Sequence, residues 1–499
     1  MADTIYNAVT YPSAVYAQTH PDRLAMVATL FGMTPAPVER SRVLELGCGD
    51  GWNVITMAYG LPGSEFTGID LAAKPVARGN ALASQLGLKN LSLREMDVAD
   101  AADLGEFDYI IAHGLYSWVP EAVREKVMAL CGRSLSANGV AYLSYNAYPG
   151  NHARDLVRGM MRYHTAGFAD PEEKVGQARG LVKFLAESKQ PRDLYHEVLA
   201  VQLEHMAKRP DAVIFHDDLS PMNRPFYFHE FMAGAAANGL QFLAEADMLD
   251  NRQGSYPPHV EAVLAKLDPA DIVAREQYRD FLENRAFRQT LLCRQEVHLE
   301  RDVAPERVHG MYIAGELRAA SAQPVLLPDT AETFLGPKDA EIETARPLVK
   351  VAFAKLGALW PQCLPFRELL AHSVSALGRG SADQIATDTT DLAAALIHAH
   401  AAGFLEFRTH RSNFTTEPGE RPRASALARL QFSQGDRAPS LRHALVEIGD
   451  AMGRAFVQLM DGTRDRAALL AELGAIQPVT AEQLDQSLRR IARLGLLHE

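Results

Sequence analysis

Cysteine, tryptophan and net positive charge are all scarce in this 499-residue chain. The four cysteines, Cys48, Cys131, Cys293 and Cys363, stand far apart, with no C-x-x-C and no histidine pair at ligand spacing beside them. That argues against a disulfide framework and a zinc site, and no metal is expected. The pair His398 and His400 lies in a helical-looking run, where i,i+2 residues point to different faces, and reads as an ordinary surface feature. Lysine and arginine number 50 against 62 acidic residues, a formal charge of −12, which speaks against a chain that coats nucleic acid or anionic lipid. No charge-free apolar run reaches the ~18 residues that a membrane span needs. Residues 1–11 lack a basic stretch followed by an apolar block, so no secretory signal is read there and a cytoplasmic location is expected.

What is present is enough chain for about three domains, at roughly 100 to 200 residues each. From 42 to about 145, short β-branched apolar runs alternate with amphipathic stretches, the pattern of parallel βαβ units. Strands are expected at 42–46, 65–70, 90–94, 107–112 and 139–145, with helices near 52–60, 72–87 and 119–133. Residues 1–150 thus read as an α/β core and 151–215 as a helical insertion. A helix at 229–238, ended by Gly239 in the left-handed cap position, precedes a strand at 240–246, so 216–250 is expected to complete the sheet. Residues 251–345 read as a mostly helical middle region, helical over 258–285, that closes in a linker rich in proline, threonine and acids at 320–345.

Beyond residue 346 two segments resemble each other, 392–407 and 484–499. Each is a helix, a glycine and a short strand-like end, and each follows a shorter helix, at 366–372 and 466–473. This predicts a C-terminal α+β region of tandem winged-helix-like units. Residues 346–499 hold 18 basic and 16 acidic residues, so the first 345 carry about −14. A DNA reader shows a basic stripe. No nucleic-acid partner is expected, and dimerisation or substrate docking is the expected role.

The most informative stretch is Val43-Leu44-Glu45-Leu46-Gly47-Cys48-Gly49-Asp50-Gly51-Trp52-Asn53, a strand running through a glycine turn into a helix. Glycines let the backbone turn tightly and approach a ligand closely. The spacing differs from the Gly-x-Gly-x-x-Gly of dinucleotide enzymes, which set a pyrophosphate at the helix N-terminus. Glu45 would repel phosphate and suits a cation. Asp70, at the end of the second strand, can take both hydroxyls of a ribose; Asp97 and Val98, after the third, offer a carboxylate and an apolar side to adenine. Together these describe S-adenosylmethionine, with S-adenosylhomocysteine as product.

At these residues the chain resembles the class I S-adenosylmethionine-dependent methyltransferases. The strings at 11–13 (YPS), 18–24 (QTHPDRL), 107–114 (FDYIIAHG), 116–120 (YSWVP), 144–150 (SYNAYPG), 223–231 (NRPFYFHEF), 243–247 (LAEAD) and 461–464 (DGTR) are similar to bacterial methyltransferases with a regulatory domain. That group includes the rickettsial lysine methyltransferases of outer-membrane proteins. The resemblance implies a Rossmann-like sheet with the insertion and the C-terminal region already described, lysine side chains of proteins as acceptor, and a homodimer through the insertion. Its cofactor set falls on Glu45, Gly47, Cys48, Gly49, Gly51, Asn53, Asp70, Leu71, Asp97, Val98, His113 and Gln18.

Methyl transfer from a sulfonium is an in-line displacement, so positioning is the main contribution, and an amine acceptor must first lose a proton. Ligands of open α/β sheets bind outside the carboxyl ends of the strands. Tyr116, Asn146 and Tyr148 there are the expected catalytic residues, and Trp118, Tyr145, His152 and Tyr11 are expected to bind substrate, the aromatics by cation–π contact with a lysine. Tyr6, Tyr11 and Tyr16 recur every five residues, neither a helical nor a strand period, so the N-terminus is expected to be an irregular arm resembling a lid, with His20 a weaker candidate. Absence of an Asn/Asp-Pro-Pro-Tyr string and of a Pro-Cys nucleophile disfavours nucleobase methylation. Two other readings stay open: a methyltransferase of small molecules or natural products, and an S-adenosylmethionine-sensing interaction protein.

Overall fold

A strand buried at all six of its positions, Phe107–Ala112, marks the centre of the molecule (β4). Apolar residues on both faces of a strand demand cover on both sides, the environment of a parallel sheet between helices. The computed structural model describes residues 9–101, 104–247, 256–267, 271–327 and 329–498. Tyr6, residues 268–270 of the helix expected at 258–285, and Glu499 lie outside them.

Around β4 are β1 (Arg42–Leu46), β2 (Glu65–Asp70), β3 (Leu91–Glu95), β5 (Leu135–Asn146), β6 (Leu240–Glu245) and β7 (Phe287–Arg294), in the order β3-β2-β1-β4-β5-β7-β6. β1 to β5 run parallel, and β7 is antiparallel to both β5 and β6. The expected first strands are thus found within a residue or two, and β5 starts earlier than residue 139. The chain order reverses between β1 and β4, so their carboxyl ends flank the crevice in which such sheets bind ligands.

Three expectations are corrected. The sheet is completed by 287–294 as well as 240–246: β7 wedges between β5 and β6, inside the stretch read as mostly helical. Its buried core, Thr290–Cys293, holds an apolar run of only three residues, Leu291–Cys293, which periodicity cannot assign. The 320–345 linker instead carries β10 (Glu332–Leu335) and β11 (Glu341–Thr344), which pair antiparallel in a small sheet with β9 (Arg318–Ala319). Two of the acidic residues that suggested a linker, Glu341 and Glu343, alternate outward along β11. The first C-terminal unit begins before residue 346, because β8 (Tyr312–Gly315) lies between β12 (Leu364–Pro365) and β13 (Leu405–Arg408).

The insertion consists of the helices His152–His164, Pro171–Glu187 and Leu194–Ala207, with a core of its own around Val157, Met161, Val182 and Leu199. Asp170 and Asp193 cap the second and third by accepting from Glu173 N and His196 N. The two C-terminal segments that resemble each other are the ends of helices Ala382–Ala401 and Ala481–Arg493. Each is followed by a left-handed glycine, Gly403 at φ 78° and Gly495 at φ 71°. The first unit shares one continuous core with the sheet's helices, joining Leu392 and Phe407 to Leu24 and Val54. The second, with the hairpin β14 (Arg437–Pro439) and β15 (Leu445–Glu447), has a separate core that includes Phe432, Leu469 and Leu488.

Candidate functional site

The turn after β1 holds three left-handed glycines, Gly47, Gly49 and Gly51, at φ 70°, 57° and 75°. Gly51 leads directly into the helix Trp52–Gly60. The turn is tied to β2: Gly47 N and Cys48 N both donate to Ile69 O, at 2.9 and 3.1 Å. Asp70 then accepts from Gly49 N and from Ala72 N, one per oxygen, both at 2.8 Å. Burial raises its pKa against these two bonds. At the end of β3, Asp97 accepts from Ala99 N at 2.8 Å, opening a short turn that starts at Val98.

Glu45, the fourth residue of β1, is 4% exposed. Its Oε1 accepts from Asn53 Nδ2 at 2.6 Å, and its Oε2 is buried without a hydrogen-bond partner. Burial pushes this carboxyl up to about 7 against its bonds from Asn53 and from the Val54 backbone. A buried carboxylate oxygen without a partner is costly unless a cation or donor meets it. The arm 11–16 crosses this edge of the sheet. Ser13 Oγ donates to Asp50, Tyr16 N donates to Asn53 Oδ1 at 3.0 Å, and the Tyr16 ring lies 3.9 Å from that of His113.

His113 follows β4. Its Nδ1 is 2.9 Å from the Tyr142 hydroxyl, which donates onward to Gln289 Oε1 at 2.9 Å, so Nδ1 carries the hydrogen and Nε2 keeps a lone pair. Burial lowers its pKa to about 4, so the ring is neutral at physiological pH. Asn146, at the end of β5, donates one Nδ2 hydrogen to Asn223 Oδ1 at 2.7 Å, which leaves its amide oxygen and the second Nδ2 hydrogen to offer a ligand.

These elements enclose a cavity of about 940 Å³. Of the residues expected from sequence, Tyr11, Glu45, Gly47, Cys48, Gly49, Asn53, Asp70, Leu71, Asp97, Val98, His113, Trp118 and Asn146 line it. Gly51 sits behind it as the helix cap, with Leu93 Cδ1 3.0 Å from where a Cβ would stand.

Tyr116, Tyr145, Tyr148, His152 and Gln18 lie elsewhere, as does His20, which caps the helix Pro21–Leu30 by accepting from Asp22 N at 3.2 Å. Tyr116 and Tyr145 are 6% and 1% exposed and pack with Phe226 and Phe231 in the core, the Tyr145 and Phe231 rings stacked at 4.1 Å. The loop after β4 turns back through the bond from Trp118 N to Leu115 O, at 2.9 Å, and places Tyr116 beneath the site while Trp118 lines it. Tyr148 stacks on His152 at 4.1 Å and donates to Asp155, and neither ring lines the cavity. Gln18 hydrogen-bonds Tyr142 behind His113. Trp118 is placed as expected, but its ring already faces the guanidinium groups of Arg154 and Arg158, at 5.9 and 5.8 Å, so an incoming ammonium would compete with both.

The sequence reading missed Tyr16, Asp50, Asp217 and the insertion's share of the wall, among it Arg154, Gln202, His205 and Arg209. Asp50 stands inside the quoted glycine turn and Tyr16 in the arm, so both carried a signal. The insertion residues carried none, because polar residues on an amphipathic helix read as a solvated face. Arg154 and Arg209 both pair with Asp218, at 2.7 and 3.2 Å, and Arg154 approaches Asp217 at 3.5 Å. Burial raises Asp217 above the usual carboxylate range.

The residues present fit S-adenosylmethionine: an unpartnered buried carboxylate oxygen at Glu45 for an ammonium, Asp70 for ribose hydroxyls, and Asp97 with Val98 for adenine. Comparison with known proteins agrees. Residues 43–139 match the family described as Methyltransferase domain, 210–294 the Predicted methyltransferase regulatory domain, and 420–490 the PKMT, C-terminal winged helix domain. An uncharacterised protein of Rickettsia prowazekii is 32% identical over 482 residues, 95% of this chain and 86% of the relative. A second from the same organism is 32% identical over 240 residues, 48% of this chain and 96% of that protein. The structure of PKMT2 from Rickettsia typhi in complex with AdoHcy superposes with a TM-score of 0.86 at 25% identity, over 98% of this chain and 99% of that one. The chain has the class I methyltransferase fold and belongs to the family of S-adenosylmethionine-dependent methyltransferases that carry a methyltransferase regulatory domain and a PKMT-type winged-helix domain.

Proposed function

We propose that the chain transfers methyl groups from S-adenosylmethionine to the side-chain amine of lysines in proteins. The observation that carries this reading is the likeness to PKMT2, a rickettsial protein lysine methyltransferase, which extends through the insertion and both C-terminal units rather than stopping at the cofactor domain.

Bound S-adenosylmethionine supplies an electrophilic methyl on a sulfonium. The chain's own residues align and dehydrate the acceptor. The twelve cofactor positions read from the sequence act as a set in which Asp70, Asp97 and Glu45 give the polar contacts, Gly47 and Gly49 give close approach, and Gln18 and Gly51 act from behind. Asn146 directs its amide oxygen at the acceptor nitrogen and orients the lone pair. His113, a weak base at about 4, accepts a hydrogen bond at Nε2 rather than taking the proton. The acceptor's proton leaves to solvent. At about 940 Å³ the cavity is at the upper end of small-molecule sites, roughly 300–1,000 Å³, and leaves room for a lysine stem beside the cofactor. Its wall includes the exposed Leu71 and Tyr11, where a protein segment can enter.

We further propose a homodimer in the cytoplasm. Leu156, Tyr163, Phe184, Leu194 and Val201 of the insertion are exposed, with Tyr163 at 89% and Leu194 at 82%. Apolar side chains gathered on one small domain mark a surface that a partner covers. Among the described residues no helix is long and apolar enough to cross a membrane, and the four cysteines are free. Light scattering should give twice the chain mass for the wild type and the single mass for Phe184→Asp/Leu194→Asp; a monomeric wild type removes this proposal. For the activity, mass spectrometry of cellular proteins with and without the chain should show lysine peptides shifted in steps of one methyl. Proteomes without such a difference would count against a protein acceptor and leave the small-molecule reading.

A further inference from the structure

The hairpin β14–β15 is the wing of the second winged-helix unit, and at its tip, 440–444, Ser440 and His443 are buried, His443 against the helix that follows the glycine turn. His443 at that tip is 5% exposed and stands at φ 57°, in the left-handed region. Its Nε2 lies 2.9 Å from Asn53 Oδ1, 390 residues away in sequence.

The hydrogens of this contact are fixed by its neighbours. Tyr16 N–H points at Asn53 Oδ1 from 3.0 Å, so that atom must be the oxygen of the carboxamide. Thr19 Oγ1 donates to Tyr16 O at 2.8 Å and accepts from Asn53 Nδ2 at 2.9 Å. Facing an oxygen, His443 must carry its hydrogen on Nε2. Asn53 is then fully committed: its oxygen accepts from Tyr16 and His443, and its nitrogen donates to Thr19 and Glu45. The amide cannot turn without breaking several bonds, and it is the amide that holds Glu45 Oε1 and leaves Oε2 for a cation.

The wing is anchored from other sides. The Arg442 guanidinium stacks 4.5 Å from the Trp360 ring and pairs with Glu406 at 3.1 Å, both in the first unit. Behind the glycine turn the Tyr59 hydroxyl accepts from Ala426 N at 3.0 Å and meets His498 Nε2 at 3.1 Å.

We propose that His443 is a positioning residue for the amino-acid end of the cofactor: the wing delivers a hydrogen-bond donor that locks Asn53, and through it Glu45, in the orientation that receives the α-ammonium. The winged-helix unit thereby completes the cofactor site from behind, and a wing buried in this way is not free to enter a nucleic-acid groove. The proposal rests on Glu45 receiving that ammonium.

The test compares two ligands by calorimetry: S-adenosylhomocysteine, and 5′-methylthioadenosine, which has the same nucleoside and sulfur but no amino-acid end. His443→Phe, which keeps a ring but removes the donor, should weaken S-adenosylhomocysteine by roughly five- to tenfold, the share of one neutral hydrogen bond. It should leave methylthioadenosine within about twofold. His443→Gln, which restores an N–H, should recover most of the loss. Under turnover KM for S-adenosylmethionine rises while kcat holds. Equal weakening of both ligands, or none, overturns the role of the wing. A wild type that gains nothing from the amino-acid end, or a Glu45→Gln variant that binds both ligands normally, overturns the Glu45 reading beneath it. Should His443→Phe fail to fold, His443→Gln and Asn53→Asp, judged against thermal melts, carry the same comparison.

Discussion

Glu45 illustrates how one buried group ties stability to ligand binding. Its carboxyl is raised from 4.5 to about 7. Between those values the folded chain holds a proton that the unfolded chain has released. The contribution of this group to the stability of the ligand-free protein therefore falls as pH rises from about 4.5 to 7 and levels above, the reverse of a salt-bridged carboxylate. Glu45→Gln should lack this decline when urea unfolding is followed across the window. An ammonium-bearing ligand favours the ionised form, so S-adenosylhomocysteine affinity should climb in the wild type over the same window and stay flat in the variant. A wild type and variant with parallel pH profiles would contradict this. Asn146 and Tyr116, both read as catalytic from sequence, separate at this scale as well. Asn146→Ala should lower kcat by about 10- to 100-fold through lost alignment, whereas Tyr116→Phe, whose ring packs in the core, should leave kcat within about twofold. Equal losses in steady-state assays would return Tyr116 to the site.

The glycine turn shows why elements constrain one another. The helix Ala73–Gln85 rests its Gly79 on the turn, where a Cβ would stand 2.4 Å from Asp50 O. Backbone cannot yield by that much at low cost, so Gly79→Ala should push the turn out of place. The expected outcome is a lower melting temperature and at least tenfold weaker S-adenosylhomocysteine binding by calorimetry; an unchanged affinity would show that the turn tolerates the shift. The first five strands were legible in sequence because each apolar run is bounded by turn residues, and Glu45, Asp70 and Asp97 because each stands within two residues of a strand's carboxyl end, at the ligand edge. β7 was not, since its partners β5 and β6 are distant in sequence and a three-residue apolar run has no period. Tyr116 and Trp118 are two residues apart in the loop after β4, and no pattern reveals which one the loop turns inward. His443 was illegible for a related reason: its meaning depends on Asn53, which only the fold brings near.

Across the whole molecule, domains that look like beads in sequence share structure. The first C-terminal unit belongs to the core that backs the cofactor turn, and Thr409 N and Oγ1 both donate to Asp22 Oδ1, at 2.7 and 2.8 Å. The second keeps its own core and lends its wing. The C-terminal half is therefore part of the enzyme's frame rather than an appended reader. The chain's −12 charge, concentrated before residue 346, favours cationic acceptors by long-range attraction. The most direct test is to incubate the protein with methyl-labelled S-adenosylmethionine and a cell extract, hydrolyse the protein fraction completely and separate the amino acids. Label in N-methylated lysine is the predicted result; label confined to small molecules, or to other amino acids, would contradict protein lysine methylation.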